Sequence, residues 1–176
     1  MSISKKYKMK KTVLFLFISL IFTSISYSQT ALEYFESGSS KYKLGDFQGA
    51  IIDFGKVIEI EPANSQAYYN RGLVKFKLED YRGAFSDFSV TIGLEPKNAK
   101  AHFNLGAIKS KLEEYYLAIL YYNKAIEFDQ GYAEAYYNRA MAEFLTGNKS
   151  SSCNDLRKAN ELGLLKASEA IKKLCQ

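Results

Sequence analysis

Apolar positions in this chain follow two rhythms. The short one is helical: Ala50, Ile51, Phe54, Val57 and Ile58 recur at three- and four-residue steps, the spacing of one face of an α-helix. The long one has a period of 34: "AYYNR" begins at Ala67 and again at Ala135, with "AHFNL" midway at Ala101. With copies beginning at Ala31, Ser65, Ala99 and Ala133, the fourth place holds Tyr34, Tyr68, His102 and Tyr136. The eighth is tiny (Gly38, Gly72, Gly106, Ala140), as is the twentieth (Ala50, Ala84, Ala118, Ser152), and the twenty-fourth is large and apolar (Phe54, Phe88, Tyr122, Leu156). Each copy predicts two helices around a polar turn, "GDF", "EDY", "EEY" or "GNK". Pro62 and Pro96, also 34 apart, stop the second helix of the first two copies, because proline disfavours helix in the residue before it. Small residues at places eight and twenty let two helix backbones approach, and the aromatics fill the space beside them.

This pattern resembles the tetratricopeptide repeat, a 34-residue helix–turn–helix unit. The resemblance covers residues 31–64, 65–98, 99–132 and a divergent fourth copy at 133–163, where Ser152 replaces Ala and Lys149 replaces the turn aromatic. Residues 164–176 are expected to form a capping helix, with Leu164, Ala167, Ile171 and Leu174 on one face. The resemblance implies an all-α right-handed superhelix of antiparallel helix pairs, with a concave groove lined mainly by the first helices. It also implies a partner-binding face holding Phe35, Tyr69, Phe103 and Tyr137 at place five and Asn70, Asn104 and Asn138 at place six. Amides both donate and accept, which suits extended peptide backbone; aromatics supply contact area at little entropic cost. The same residues also suit packing between neighbouring first helices, and both readings stand at this point. A subfamily that grips C-terminal carboxylates is matched at Asn70 and Lys100 but not at Phe35, Ser39 or Asn104.

Charge changes its meaning once the beginning of the chain is set apart. "SKKYKMKK" precedes the apolar run Val13–Phe22, and Ser26 and Ser28 stand at −3 and −1 of a cut before Gln29. Residues 1–28 therefore read as a secretory signal peptide, with a secreted or periplasmic destination. Left in place, the run falls short of the ~20 apolar residues that span a bilayer, so no stable membrane insertion is expected after cleavage. The net charge of +5 is carried by the five lysines of that segment. The remainder is balanced and gives no support to nucleic-acid binding.

Cys153 and Cys175 are each 11 residues from Leu164. Folding two helices about that point puts both about 16 Å along from the turn, consistent with a disulfide in an oxidising compartment. Packing as two small buried hydrophobes is the alternative. No catalytic motif and no metal spacing is present; His102 takes an aromatic place, and the carboxylates are expected on solvent-facing positions. The sequence thus points to a non-catalytic, cofactor-free module that binds a protein or peptide, with two alternatives. One is self-association or envelope assembly through the exposed end of the first repeat; the other is an enzyme or an enzyme-modulating subunit.

Overall fold

The computed structural model describes residues 30–175, which are helical throughout with short connections and contain no strand; the proposed signal peptide lies outside them. The helices are α1 (30–44), α2 (Phe47–Ile60), α3 (Ser65–Lys77), α4 (Tyr81–Leu94), α5 (Ala99–Lys111), α6 (Tyr115–Phe128), α7 (Ala133–Leu145), α8 (Lys149–Glu161) and α9 (Leu165–Leu174). They form the expected antiparallel pairs. By compactness the described residues divide into two units, up to Ala67 and from Tyr68 onward, taken separately below.

Local chemistry sets the boundaries. Asp46 and Asp80 accept from the amides of Gly49 and Gly83 at 2.9 Å. Asn64 and Asn98 accept from Ala67 and Ala101 at 3.0 Å. Each bond satisfies a donor that the first helical turn leaves unpaired. Place fifteen, just after the first helix, has a positive φ in every copy: Gly45 at 82°, Glu79 at 61°, Glu113 at 60° and Gly147 at 86°. Glycine adopts that conformation freely; glutamate does so against its Cβ sterics.

In the first unit, Ala31, Val57 and Ala67 are buried together, with Tyr34, Phe35, Ile58 and Ile60 around them. In the second, Ala84, Phe88, Leu105 and Ile108 make one cluster. Ala140, Leu156 and Ala170 make another that joins α7, α8 and α9. The tiny residue at place eight sits against the large one at place twenty-four. A Cβ added to Gly72 would stand 2.9 Å from Phe88, and one added to Gly106 would stand 2.7 Å from Tyr122. The fourth copy exchanges both members at once, carrying Ala140 beside the smaller Leu156.

Candidate functional site

The aromatics at place five lean inward. Phe35 lies on Phe54 with centroids 5.6 Å apart in the first unit; in the second, Tyr69 lies on Phe88 at 5.6 Å and Phe103 on Tyr122 at 5.7 Å. Phe103 also stacks on Tyr132 at 4.8 Å. Tyr137 packs against the Ala140–Leu156 cluster, and the Lys166 ammonium sits 4.3 Å over its ring. All four rings are half-buried, so packing occupies one side of each.

The place-six amides differ in burial. Asn104 is buried and donates through Nδ2 to the Tyr69 hydroxyl at 3.1 Å, tying α3 to α5. Asn138 is half-buried and hydrogen-bonds the Tyr122 hydroxyl, as does Ser110 at 3.2 Å. Burial pushes the Tyr122 phenol up to about 12, against the opposing pull of those two bonds, so it is a neutral hydroxyl at physiological pH. Asn70 is half-buried and Lys100 exposed.

One concavity on this face is well defined. A hollow of about 320 Å³ is lined by Ala107, Ser110, Lys111, Tyr115, Tyr122, Asn138, Met141, Ala142 and Leu145. It therefore opens between α5, α6 and α7. Its wall is mostly apolar, Leu145 is 56% exposed at its edge, and Lys111 is the cation beside it. The Tyr122 hydroxyl and its Ser110 and Asn138 partners form the polar floor. The hollow thus combines an apolar wall with hydroxyl and amide groups at its base. Tyr122, Met141 and Leu145 were not foreseen as site residues. The signal was available: place twenty-four changes from Phe to Tyr in the third copy alone.

The expectation that carboxylates lie on solvent-facing positions fails at place twenty-three. Asp53, Asp87 and Asp155 are buried, and each meets a cation across its helix pair. In the first unit Asp53 takes Lys41 at 2.7 Å and the Ser37 hydroxyl. Burial opposes its ionisation, but those two bonds outweigh the burial and hold its pKa below the usual value. Asp87 takes Arg71 in a two-pronged pair at 2.7 and 2.9 Å and Lys75 at 2.8 Å. Asp155 takes Arg139 at 2.6 and 2.7 Å, and Arg139 also donates to Asn123 at 2.8 Å. The Asp87 bond raises the Arg71 pKa; at Arg139 burial pulls down, and the Asp155 bond overcomes it. The partners at places seven and twenty-three are 16 residues apart each time. Buried charge needs a partner, and these ladders fasten the two helices of a repeat. Repeat three holds Leu105 and Tyr121 at those places instead.

His102 is buried as an aromatic-sized packing residue, 5.3 Å from Phe128. Its Nε2 donates to the Pro96 carbonyl at 3.0 Å, and Nδ1 is shielded from solvent without a partner. Among the described residues no group of acidic, His and Cys side chains is arranged to hold a metal ion, and no helix is long and apolar enough to cross a membrane. Cys153 on α8 and Cys175 just beyond α9 have Cα atoms 5.7 Å apart and sulfurs at bonding distance, the separation a disulfide requires.

Family models for the TPR repeat (residues 38–79) and the tetratricopeptide repeat (residues 99–132 and 133–162) match the chain over more than half its length. A crystal structure of MamA protein superposes with a TM-score of 0.73 and 25% identity, covering 80% of this chain and 78% of that one. MamA 41-end from Desulfovibrio magneticus RS-1 gives 0.70 and 23%, with 75% of each chain covered. The first TPR of Spaghetti (RPAP3), bound to the HSP90 peptide SRMEEVD, gives 0.66 and 26% over 68% of this chain and 95% of that one. No curated protein matches the sequence significantly.

Proposed function

The chain belongs to the tetratricopeptide repeat family, and from that premise we propose that it is a non-catalytic adaptor, exported across the inner membrane. It binds an extended segment of a protein partner across the first-helix face of its repeats. The observation that carries this reading is the hollow between α5, α6 and α7, an apolar wall with a hydroxyl and amide floor. Fold alone says little about function in so widely reused a module, so the reading rests on the side chains that line this hollow. It selects a peptide with one bulky apolar side chain, while the exposed Lys100 and Lys111 favour neighbouring acidic residues.

RPAP3 supplies a precedent for peptide capture, but the mode here differs. Only two of the five carboxylate-gripping places are matched, so a free C-terminus is not the anchor. Asn104 and Tyr69 hold each other and serve mainly to shape the face. Export rests on the basic head, apolar run and small-residue exit of residues 1–28, and it supplies the oxidising setting in which Cys153 and Cys175 would be bridged.

A photo-crosslinker placed at Leu145 in the producing cell should capture a partner; the purified partner is then titrated against wild type and Leu145→Glu. The side chain is exposed, so the fold is kept. Affinity should fall at least about tenfold, the loss expected when an apolar contact is replaced by a desolvated charge. Unchanged affinity overturns the groove reading.

A further inference from the structure

A regular first helix leans on the repeat before it through its third and tenth places. Ala135 packs with Ala125 and Ile126 of α6, and Ile108 with Ala84 and Phe88 of α4. Those places hold Ala67, Ala101 and Ala135, then Val74, Ile108 and Ala142, every one buried. In α1, ahead of which no repeat is described, they hold Glu33 and Ser40, both exposed, with the exposed Glu36 one turn from Glu33. Solubility asks only that a free end face be polar; this one also carries a sign.

The other end carries the opposite sign. On α9 the third and tenth places are Ala167 and Leu174, turned inward like their counterparts, and Ala170, Ile171 and Leu174 close over Ala140 and Leu156. Among the described residues no second helix follows α9. At its eighth place, where the earlier copies set Gly72, Gly106 or Ala140 against a second helix, stands the exposed Lys172, beside the exposed Lys173. Glu169 is the one acid on that helix, and Lys166 is drawn over the Tyr137 ring. Whole segments repeat the contrast. Residues 31–64 hold six acidic and three basic side chains, and residues 149–176 hold three acidic and six basic. The charge balance that follows the N-terminal lysines is thus an acidic start set against a basic finish. Among the described residues Glu33, Glu36, Lys172 and Lys173 make no ion pair. On α1, Lys41 is held by Asp53, and Lys43 lies about two turns from Glu36. Each end also offers an exposed leucine, Leu44 at 83% and Leu165 at 84%.

We propose that copies of the chain associate end to end, the α9 face of one seating on the α1 face of the next, with Lys172 and Lys173 against Glu33 and Glu36. The contact joins two different surfaces, so each added copy leaves one free face of each sign and growth does not stop at two. Exposed ion pairs contribute little singly, so the association is weak and sensitive to salt. It supplies the counterpart surface for association through the end of the first repeat, and it does not depend on the groove reading.

Sedimentation velocity tests it, on chain purified from the producing cell with the amino terminus that cell leaves. At low salt, wild type should move from monomer to dimer and on to larger species as concentration rises. At about 1 M salt, where charges act over only about 3 Å, it should stay monomeric. Glu33→Lys with Glu36→Lys makes both ends basic; Lys172→Glu with Lys173→Glu makes both acidic. Each double variant alone should associate more than about tenfold more weakly, with its helical circular dichroism unchanged. Mixed together they should assemble again, since every acidic end then meets a basic one, and a chain carrying all four exchanges should assemble by itself. Should the exchange on α9 lower the circular dichroism, Lys172→Gln with Lys173→Gln is read in its place and should weaken association as well. A wild type that stays monomeric throughout the low-salt series overturns the proposal. So does association that survives either double variant or high salt, or a mixture no larger than its components.

Discussion

Glu143→Lys is expected to stabilise the chain, because Glu143 occupies the place where the other three copies carry lysine. Lys41, Lys75 and Lys109 hold place eleven, and the first two clasp Asp53 and Asp87. In the fourth copy the neighbour of Asp155 is a second carboxylate. Burial and then Asp155 raise the Glu143 pKa, with Arg139 opposing, and the Glu143 Oε2 is shielded without a hydrogen-bond partner. Removing an orphaned acceptor returns about 1 kcal/mol. A half-buried lysine–aspartate pair like Lys75–Asp87 contributes up to about 1 kcal/mol more. The sum, about 1–2 kcal/mol, corresponds to roughly 3–6 °C in Tm for a domain of this size. The assay is thermal unfolding followed by circular dichroism at neutral and at acid pH. A raised folded-state pKa means the penalty from Glu143 is fully present above that pKa and fades as pH falls towards the ordinary carboxylate value. The gap between variant and wild type should therefore be largest at neutral pH and shrink on acidification. A variant that melts at or below wild type at neutral pH, or a gap indifferent to pH, refutes the reasoning.

Further outcomes follow from the same contacts. Gly106→Ala should lose about 1–3 kcal/mol by pressing on Tyr122, whereas Gly93→Ala, with open space around its Cβ, should gain about 0.5–1 kcal/mol; urea titrations of both separate crowding from helix propensity. Glu79→Gly should gain about 1 kcal/mol by relieving its positive φ, read in the same titration. Arg71→Ala leaves Asp87 with Lys75 alone and should cost about 1–3 kcal/mol, measured by calorimetry. Cys153→Ser opens a loop spanning 22 residues and should cost about 3 kcal/mol, with reductant producing the same loss in wild type and none in the variant.

The repeat was legible because its landmarks are steric. A glycine beside Phe88 and an alanine beside Leu156 are packing solutions that recur every 34 residues, and a periodic constraint survives in the sequence. The cysteine pair was legible for a similar reason, since equal distance from a turn is a geometric statement. The buried aspartates were missed because an Asp reads as surface until its partner is found, even beside Phe54, Phe88 or Leu156; the partners lie on the preceding helix, across the turn, 16 residues back at place seven and 12 back at Lys41 and Lys75. The aromatics of place five were placed on the right helix, but helical periodicity does not say which neighbour a ring leans on, and Phe54, Phe88 and Tyr122 claimed one face of each. Asn104 looked like a free amide for the same reason, until Tyr69 of the preceding repeat supplied its partner. The exposed Leu117 and Leu120 of α6 hide among core residues, since the helical pattern alone does not say which apolar side chains turn inward with Ala118 and Tyr122.

Hydrogen–deuterium exchange of the chain with and without its purified partner tests the adaptor reading most directly. Partner binding should slow exchange along α5 and α7, around Ala107, Met141 and Leu145, and leave the outward faces of α6 and α8 as they were. Protection confined to those outward faces, or none on α5 and α7 at saturating partner, would contradict it.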